Sequence, residues 1–352
     1  MNLTRNRDID RMRGLTVFLM LVVNSPVDLR ITYSTLSHCD WAGLTLADTV
    51  FPTFLFIVGV SLSLSNRVNK KNLSAIIVRS SVLIATGLLL KLVVFCLYNQ
   101  EHFKFMGVLQ RIGICYAVVG IMHHYMNVKH LKIICLVLLT GWSLALMLSG
   151  EYNQYANISD VVDNSILSVH ANFYDVDTDR YGDSEGILST IGALVTTLSG
   201  VIFGEQINKL SDRRIFCYGA ICIMAGLTLY YVFSMPVIKK IWTPSFLLIC
   251  TGISIGLYLL LKNLGRIINL SYLEYPGKHS LGIYVWSILA FDILLYFHLW
   301  HSLFVMVYIY LIPRGIPIQS ATLCFSLLFS SILCFMPPVV SKSMFLVKRV
   351  MQ

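Results

Sequence analysis

The sequence is poor in charge. Asp, Glu, Lys and Arg together make up 13% of its 352 residues, whereas a soluble globular domain carries roughly 25%. Hydrophobic residues make up 56% of the chain, and its mean hydropathy is +0.72. So little charge over so long a chain excludes a soluble enzyme and a disordered protein, and it predicts a polytopic membrane protein.

Several other signals are lacking. No two of the nine Cys have the C-x-x-C spacing that is typical of zinc and redox sites. In the acidic stretch 175–186, Arg180 and Gly186 stand where a calcium-binding EF-hand loop needs Gly and Glu, so we expect no metal. The net charge is +9, but no basic soluble face is visible, and we expect no nucleic-acid partner. No Gly/Ser-rich linker divides the chain, which predicts a single membrane domain over 1–352.

Apolar runs of about 20 residues, the length that crosses a bilayer, recur along the whole chain. The predicted spans are 14–33, 42–65, 73–97, 107–126, 131–150, 187–207, 215–234, 243–262, 280–299 and 318–340. The predicted fold class is therefore all-α, with about ten transmembrane helices. The shorter run 303–312 is expected to be re-entrant or interfacial. No A-x-A cleavage site follows the basic N-terminus, so we expect an uncleaved first span.

Most Lys and Arg fall in loops on the same side as the N-terminus of this ten-span topology. Because cytoplasmic loops carry an excess of Lys and Arg, this predicts that both termini lie in the cytoplasm. The same topology puts segment 151–186 on the extracytoplasmic side. This loop carries eight of the chain's 18 acidic residues, so polar chemistry concentrates on the outer face.

Three polar residues stand near the outer ends of the first two predicted spans. His38 precedes the second span, Asp48 lies about two turns inside it, and Asn24 is near the end of the first. Ionisable groups in a bilayer are costly and mark function or a helix contact. A histidine with a carboxylate on the same approach indicates one side of a pocket. The alternatives are an interfacial histidine with a helix-pairing aspartate, and for Asn24 an interhelical hydrogen bond.

Arg111 falls where the fourth predicted span enters the membrane. An arginine in that position is either a snorkelling anchor or an anion-binding group in the pocket. The local sequence does not decide between these two roles.

Seven motifs follow one another along nearly the whole chain. They are DRMRGLT at 10–16, VVN at 22–24, HCDWAGLTLADTVFPTFLFIVGVS at 38–61, GVLQR at 107–111, GDSEGILSTI at 182–191, KKIWTPS at 239–245 and YPGKHSLGIYV at 275–285. In these motifs and their order the chain resembles the bacterial relatives of the heparan-alpha-glucosaminide N-acetyltransferase family, within the wider transmembrane acyltransferase group. The resemblance implies an enzyme that takes acetyl-CoA from the cytosol and acetylates a glucosamine amine on the far side of the membrane.

The resemblance also implies roles for individual residues. His38 matches the family's catalytic histidine, and Asn24 matches its asparagine at the end of the preceding span. Asp48 is expected to orient His38 or to stabilise its charged form. The cations expected to receive the anionic end of CoA are Arg7, Arg11, Arg13, Lys278 and Arg111. The residues expected on the acceptor side are Asp40, Trp41, Asp183, Glu185, Lys239 and Trp242.

The chain departs from the family pattern at several positions. Cys39 and Asp40 stand where the family commonly has H-A-x-W, and Ser184 replaces the Pro of D-P-E-G. These two departures lie on the expected acceptor side, so the sugar that is acetylated is open. Ile238 replaces the Asn of P-x-N-K, and 277–279 reads GKH where the family has G-M-N.

Two chemical routes fit these residues. A neutral imidazole, with an ordinary pKa of about 6.5, takes the proton of the attacking amine as a general base. Alternatively, His38 attacks the thioester first and carries the acetyl group as an acetyl-imidazole. Asn24 is expected to donate a hydrogen bond to the thioester oxygen, and Asp183 and Glu185 to attract the protonated amine.

A secondary transporter of a sugar or amino sugar, and an O-acyltransferase of a surface polysaccharide, are the alternatives. Transporters often contain internal repeats with broken helices, and the H-x-x-W-x-G-L-T motif has no second copy in this sequence. We expect membrane lipid and an extracytoplasmic amino sugar as partners, and a homodimer is left open. The sequence has no lysosomal processing region or large luminal domain, which favours a bacterial inner membrane.

Overall fold

The computed structural model describes residues 6–68 and 73–335, and this part of the chain is almost entirely helical. The helices are α1 (Arg7–Asn24), α2 (Leu46–Val68), α3 (Leu73–Leu97), α4 (Val108–Tyr125), α5 (Val128–Ser149), α6 (Ile158–Ile166), α7 (Thr190–Gln206), α8 (Asp212–Tyr231), α9 (Pro244–Ile267), α10 (Glu274–Lys278), α11 (Ser280–Tyr296), α12 (Leu299–Leu311) and α13 (Ile318–Phe335). Two short strands, β1 (Phe173–Asp175) and β2 (Arg180–Gly182), form an antiparallel hairpin. Apart from this hairpin, the predicted all-α class is confirmed.

Every predicted span overlaps one of these helices. Within residues 6–68 and 73–335, six helices are long and apolar enough to cross a membrane, namely Leu46–Ser65, Leu73–Leu97, Val128–Ser149, Asp212–Tyr231, Pro244–Ile267 and Ile318–Phe335. A seventh candidate is the pair Ser271–Lys278 and Ser280–Tyr296, which is bent by 74°. These helices make the chain an integral membrane protein, and the count of ten crossings stays a prediction.

Length and charge separate some of the remaining helices from those six. The first seven residues of α1 are RDIDRMR, so its N-terminal half is strongly charged, and α7 has only 17 residues. The run predicted to be re-entrant or interfacial lies in α12, a helix of 13 residues.

The orientation of the chain also stays a prediction. Six of the basic residues on which it depends lie outside the described residues, as do positions 336–340 of the last predicted span. These residues are Arg5, Lys70, Lys71, Lys342, Lys348 and Arg349.

The chain divides into two compact units. Within the described ranges, the first unit comprises residues 39–44 and 52–259, and the second comprises 6–38, 45–51 and 260–335. Each unit has its own packing, and the single membrane domain over 1–352 stays a prediction.

In the first unit, glycines allow α2 and α7 to pack with their backbones in contact. A Cβ atom on Gly59 would lie 2.0 Å from the carbonyl oxygen of Thr197, and one on Gly200 would lie 2.1 Å from that of Phe56. Small residues at such contacts are the usual means of close helix packing in lipid. The close approach puts the C-terminal half of α2 firmly against α7.

In the second unit, two of the sequence motifs pack directly on each other. A Cβ atom on Gly14 would lie 1.9 Å from the carbonyl oxygen of Leu273, and one on Gly277 would lie 1.9 Å from that of Asp10. The start of α1 and the short α10 therefore meet backbone to backbone, and the motifs at 10–16 and 275–285 form one feature.

The segment between α1 and α2 is held by α13. The Ser326 hydroxyl donates to the carbonyl oxygen of Ser25 over 2.9 Å, and the hydroxyls of Tyr33 and Ser320 are 2.7 Å apart. These contacts fix both ends of the stretch 25–33, which leads on to His38.

Candidate functional site

His38 and Asp48 form a hydrogen-bonded pair in the second unit. The distance from His38 Nδ1 to Asp48 Oδ1 is 2.9 Å. The histidine side chain is 41% exposed and the aspartate side chain 1% exposed. The imidazole is thus accessible to a substrate, while its carboxylate partner is shielded from water, which strengthens the electrostatic interaction between them.

A capping box at the start of α2 positions the carboxylate. Oδ2 of Asp48 accepts hydrogen bonds from the backbone N–H and the hydroxyl of Thr45, over 3.2 and 2.9 Å. The backbone N–H of Asp48 in turn donates to the Thr45 hydroxyl over 3.4 Å. This reciprocal pairing is that of a Thr-x-x-acid capping box. One oxygen of Asp48 therefore caps the helix, and the other is directed at His38.

The pairing also selects a tautomer of His38. A carboxylate only accepts hydrogen bonds, so the neutral ring carries its proton on Nδ1 and leaves Nε2 as the basic nitrogen. If Nε2 takes a proton or an acyl group, the ring becomes positively charged, and Asp48 stabilises that charge. The arrangement suits both routes considered from the sequence.

Asn24 is the last residue of α1 and lines a cavity of about 60 Å³. Its neighbours on the cavity wall include Tyr284 and Ser287 of α11. Among the described residues, the Asn24 amide makes no side-chain hydrogen bond, and the residue is exposed. Its donor is therefore available to a ligand in the cavity.

Two of the cations predicted to receive CoA share the carboxylate of Glu274. Arg11 lies 3.1 Å from Asp8 and 3.3 Å from Glu274, and Lys278 lies 3.3 Å from the other oxygen of Glu274. The Lys278 side chain is still 41% exposed. Exposed ion pairs of this kind contribute little, so Lys278 can exchange its partner for a phosphate at small cost.

Arg13 joins the same end of the second unit. Its Nη1 lies 3.1 Å from Asp10 Oδ1 and donates to the carbonyl oxygen of Gly277 over 3.1 Å. Arg7, the first residue of α1, is exposed. Three of the five predicted cations thus come together through α10, which the spacing in sequence did not show.

Trp41 is fixed within the first unit by hydrogen bonds of its own and of the residues that follow it. Its indole N–H donates to the carbonyl oxygen of Tyr152 over 2.7 Å. Ala42 forms an isolated bridge with Ile238, and the N–H of Gly43 donates to the carbonyl oxygen of Val237 over 2.8 Å. The stretch that carries Trp41 therefore runs beside the residues just before KKIWTPS.

The ammonium of Lys240 lies over two aromatic rings of the first unit. Nζ is 5.7 Å from the ring centre of Trp41 and 5.1 Å from that of Phe173. Burial lowers the pKa of Lys240, against the opposing effect of the negative charges on Asp40 and Asp160. Asp40 itself is exposed. An aromatic surface with both charge signs beside it is suited to a polar sugar.

Asp183 is buried and its oxygens are occupied. Oδ1 accepts from the Asn172 amide over 2.7 Å and from the Glu185 N–H over 2.8 Å, and Oδ2 accepts from the Asn172 N–H over 3.1 Å. Burial raises the pKa of Asp183, and the charge on Glu185 raises it further. Asp183 thus shapes its loop, while the partly exposed Glu185 accepts a hydrogen bond from Ser184 over 2.6 Å and is the more accessible acid.

Arg111 contacts the acidic motif at 182–191. Its guanidinium is fully buried, and Nη2 donates to the carbonyl oxygen of Gly186 over 3.0 Å and to the Ser189 hydroxyl over 2.6 Å. Nε and Nη1 have no hydrogen-bond partner among the described residues. This burial does not fit a snorkelling anchor. Arg111 supports the loop, and its anion-binding role stays a prediction.

Trp242 is also part of the support of this loop. Its indole is 1% exposed and donates to the Thr196 hydroxyl over 3.0 Å, and the guanidinium of Arg111 lies 5.1 Å from its ring centre. Its backbone has a φ of +52°, in the left-handed region that few non-glycine residues adopt. Lys239 is partly exposed. The predicted sugar contact at these two positions stays a prediction, and the buried indole is not accessible to a ligand in this conformation.

Sequence reasoning missed several residues of these sites. Tyr284 and Ser287 line the Asn24 cavity, and Tyr284 belongs to the 275–285 motif, so a signal for it was present. Asn172 and Asp163 of the acidic segment had no motif of their own. Asp163 is buried, and burial raises its pKa to about 7.

Comparison with known proteins agrees with the motifs. Residues 5–169 match the family described as "Heparan-alpha-glucosaminide N-acetyltransferase, catalytic". The heparan-alpha-glucosaminide N-acetyltransferases of Mus musculus and Homo sapiens are each 26% identical to this chain over 80% of its length. The matched region covers 53% of the mouse protein and 52% of the human one, so the chain spans about half the length of these curated relatives.

The stretch that matches the family contains Asn24, His38, Asp48 and Arg111. The paired histidine and aspartate, the order of the motifs and the similarity to the two curated relatives all agree. Residues 5–169 thus resemble the catalytic region of the heparan-alpha-glucosaminide N-acetyltransferases, and 80% of the chain is similar to the two curated relatives.

Proposed function

We propose that this protein is a transmembrane N-acetyltransferase, which moves the acetyl group of cytosolic acetyl-CoA to the amine of an extracytoplasmic glucosamine-type sugar. The observation that carries the proposal is the 2.9 Å hydrogen bond between His38 and the buried Asp48. A histidine oriented by a carboxylate is the usual means of moving a proton, or an acyl group, at neutral pH.

In the direct route, Nε2 of His38 accepts a proton from the acceptor amine as the amine nitrogen attacks the thioester carbon. The C–S bond then breaks, and the CoA thiolate leaves and takes up the proton. In the two-step route, Nε2 attacks the thioester first, CoA leaves, and the amine then displaces the imidazole. Both routes give an amide and free CoA, and in both Asp48 stabilises the positive ring.

The Asn24 amide is suited to stabilise the negative charge that develops on the thioester oxygen. Its amide donor has no partner among the described residues, and it lines a cavity large enough for a small acyl group. A donor aimed at the oxygen of a tetrahedral intermediate lowers the barrier by about 3–4 kcal/mol in well-studied acyl transfer. Asn24 is the residue we assign to this role.

The two substrates are received by different parts of the chain. The basic cluster of Arg11, Arg13 and Lys278, with the exposed Arg7, supplies donors for the phosphates of CoA. Glu185 supplies a negative charge that attracts the protonated amine before transfer, and Trp41 supplies an apolar face for the sugar ring. A bacterial inner membrane is the location that we infer for this reaction.

The test is acetyl transfer from radiolabelled acetyl-CoA to glucosamine by the purified protein. We expect amine-dependent formation of the amide product, lowered by a factor of about 10² to 10⁴ in His38→Ala, the range for loss of a general base. His130→Ala, which removes an exposed histidine of α5, is the matched control and should retain full activity.

Three other outcomes are informative. Label retained on the wild-type protein without acceptor would select the acetyl-histidine route. An ester in place of an amide would select O-acylation of a polysaccharide. If no acyl group is transferred to any amino sugar, the proposal is wrong, and uptake of sugars into vesicles becomes the measurement to make.

A further inference from the structure

The cavity beside Asn24 lies in the second unit, between the end of α1 and the α11 helix. Four of its lining residues, Tyr284, Ser287, Ile288 and Phe291, are spaced i, i+3, i+4 and i+7. This spacing puts them on one face of α11. One stripe of this helix therefore supplies four of the eight lining residues, and the end of α1 with Ser25 supplies the other four.

The wall has a polar part and an apolar part. Asn24, Tyr284 and Ser287 supply polar groups, whereas Leu21, Ile288 and Phe291 supply hydrocarbon. The hydroxyl of Ser287 donates to the carbonyl oxygen of Tyr284 over 2.7 Å, so its hydrogen is already engaged within the helix. The Asn24 amide has no such partner among the described residues. This combination suits a group with one polar oxygen and a short apolar end.

The volume limits what this group can be. A cavity of roughly 150 Å³ accommodates benzene, with six heavy atoms. In proportion, a cavity of about 60 Å³ has room for two or three heavy atoms. An acetyl group has three heavy atoms and matches this volume, whereas a longer acyl chain would have to displace the wall or extend out of the cavity.

We propose that this cavity holds the acyl group of the donor thioester, and that Ile288 and Phe291 limit the acyl group to two carbons. The inference rests on the proposed acyltransferase function and goes beyond it, because it names the acyl specificity of the site. The oxygen of the acyl group faces Asn24, and its methyl group faces the side chains of α11. Ile288 and Phe291 are specificity-determining residues and take no part in proton transfer.

The test compares acetyl-CoA with hexanoyl-CoA as donors to glucosamine. Ile288→Ala and Phe291→Leu enlarge the cavity independently. The second variant keeps an apolar side chain against Trp300, whose ring centre is 4.9 Å from that of Phe291. Leu289→Ala, on the next residue of α11 and outside the cavity lining, is the matched control. The measured quantity is the ratio of kcat/KM for hexanoyl-CoA to that for acetyl-CoA.

Wild type and Leu289→Ala are expected to have the same low ratio. Each enlarging variant is expected to raise the ratio by at least about 10-fold, the lower end of the discrimination that one methylene group gives in an apolar pocket. Equal ratios in all four proteins, with wild type active on acetyl-CoA, would overturn the inference and leave the proposed function intact. A wild-type protein that transfers no acyl group from either donor would overturn both.

Discussion

At the residue scale, the orientation of His38 depends on the two carboxylate oxygens of Asp48, which have different hydrogen-bond partners. Oδ2 closes the capping box with Thr45, and Oδ1 meets His38. A side chain fixed by two hydrogen bonds on one oxygen has little freedom to turn the other away. The start of α2 thus holds the imidazole in a fixed orientation.

Asp48→Asn should lower kcat while leaving KM for both substrates nearly unchanged. An amide can donate to Nδ1, which moves the ring proton to Nε2 and removes the base. We expect a fall in kcat of about 10²- to 10⁴-fold, measured in the acetyl transfer assay. Thr45→Ser keeps the hydroxyl of the capping box and should stay close to wild type. An Asp48→Asn protein with wild-type kcat would show that the pair has no part in the reaction.

Asp163 should make stability depend on pH. Its Oδ1 accepts from the Ile187 N–H over 2.8 Å. Burial, together with the charges on Asp183 and Asp160 and against that of Arg111, raises its pKa to about 7. Since this is above the ordinary value for an aspartate, the folded protein binds more protons than the unfolded one between about pH 4 and pH 7. The free energy of unfolding therefore falls as the pH rises through this window.

Asp163→Asn retains the acceptor for Ile187 and cannot ionise. We expect its Tm to fall less than that of wild type between about pH 5 and pH 8, measured by thermal unfolding in detergent. Asp177→Asn, at an exposed position of the β1–β2 hairpin, is the control and should follow wild type. A wild-type Tm that is equally high at both pH values would contradict the assigned pKa.

At the element scale, glycine determines which helices approach closely. Gly59→Ala should destabilise the protein by about 1–3 kcal/mol, because its Cβ would lie 2.0 Å from a backbone oxygen of α7, which cannot move aside. Gly141→Ala, in α5, has no atom within 4 Å of the added Cβ and should be neutral or slightly stabilising. Thermal unfolding of both variants checks this, and equal effects would refute the close contact of α2 with α7.

Local sequence patterns predicted the positions of the helices well, but they did not predict which residues contact one another across the chain. The apolar runs placed every predicted span on a helix, and Thr45 with Asp48 is a capping box that can be read from four residues. Asp48 is hydrogen-bonded to His38, as two residues at one helix start indicate, and its role in catalysis stays a prediction. Arg111 meets Gly186 and Ser189, which are more than 70 residues away, and no local pattern contains that information.

Contacts between distant parts of the sequence also determine how accessible the predicted binding residues are. Arg11 pairs with Asp8 in its own turn but also with Glu274 on α10, so its charge is less available than the sequence suggests. Trp242 was predicted on the acceptor side, and this contact stays a prediction. Its burial follows from packing against Thr196 and Arg111, and only the tertiary structure shows this.

At the scale of the whole molecule, the central claim is that one chain joins a cytosolic donor to an acceptor beyond the membrane. In the described part of the chain, six or seven helices are able to cross the bilayer, which is the barrier between the two substrates. The proposed chemistry depends on the His38–Asp48 pair, the Asn24 cavity and the basic cluster of α1 and α10. Only the combination of these helices with this site predicts that the two substrates stay on opposite sides of the membrane.

The measurement that tests this claim most directly is transfer across a sealed vesicle. Purified protein is reconstituted with labelled acetyl-CoA only outside and glucosamine only inside, beside a His38→Ala preparation. We predict N-acetylated glucosamine inside the wild-type vesicles and none with the variant. The claim would be contradicted if product formed only when both substrates were in one compartment. It would also be contradicted if glucosamine left the wild-type vesicles unmodified.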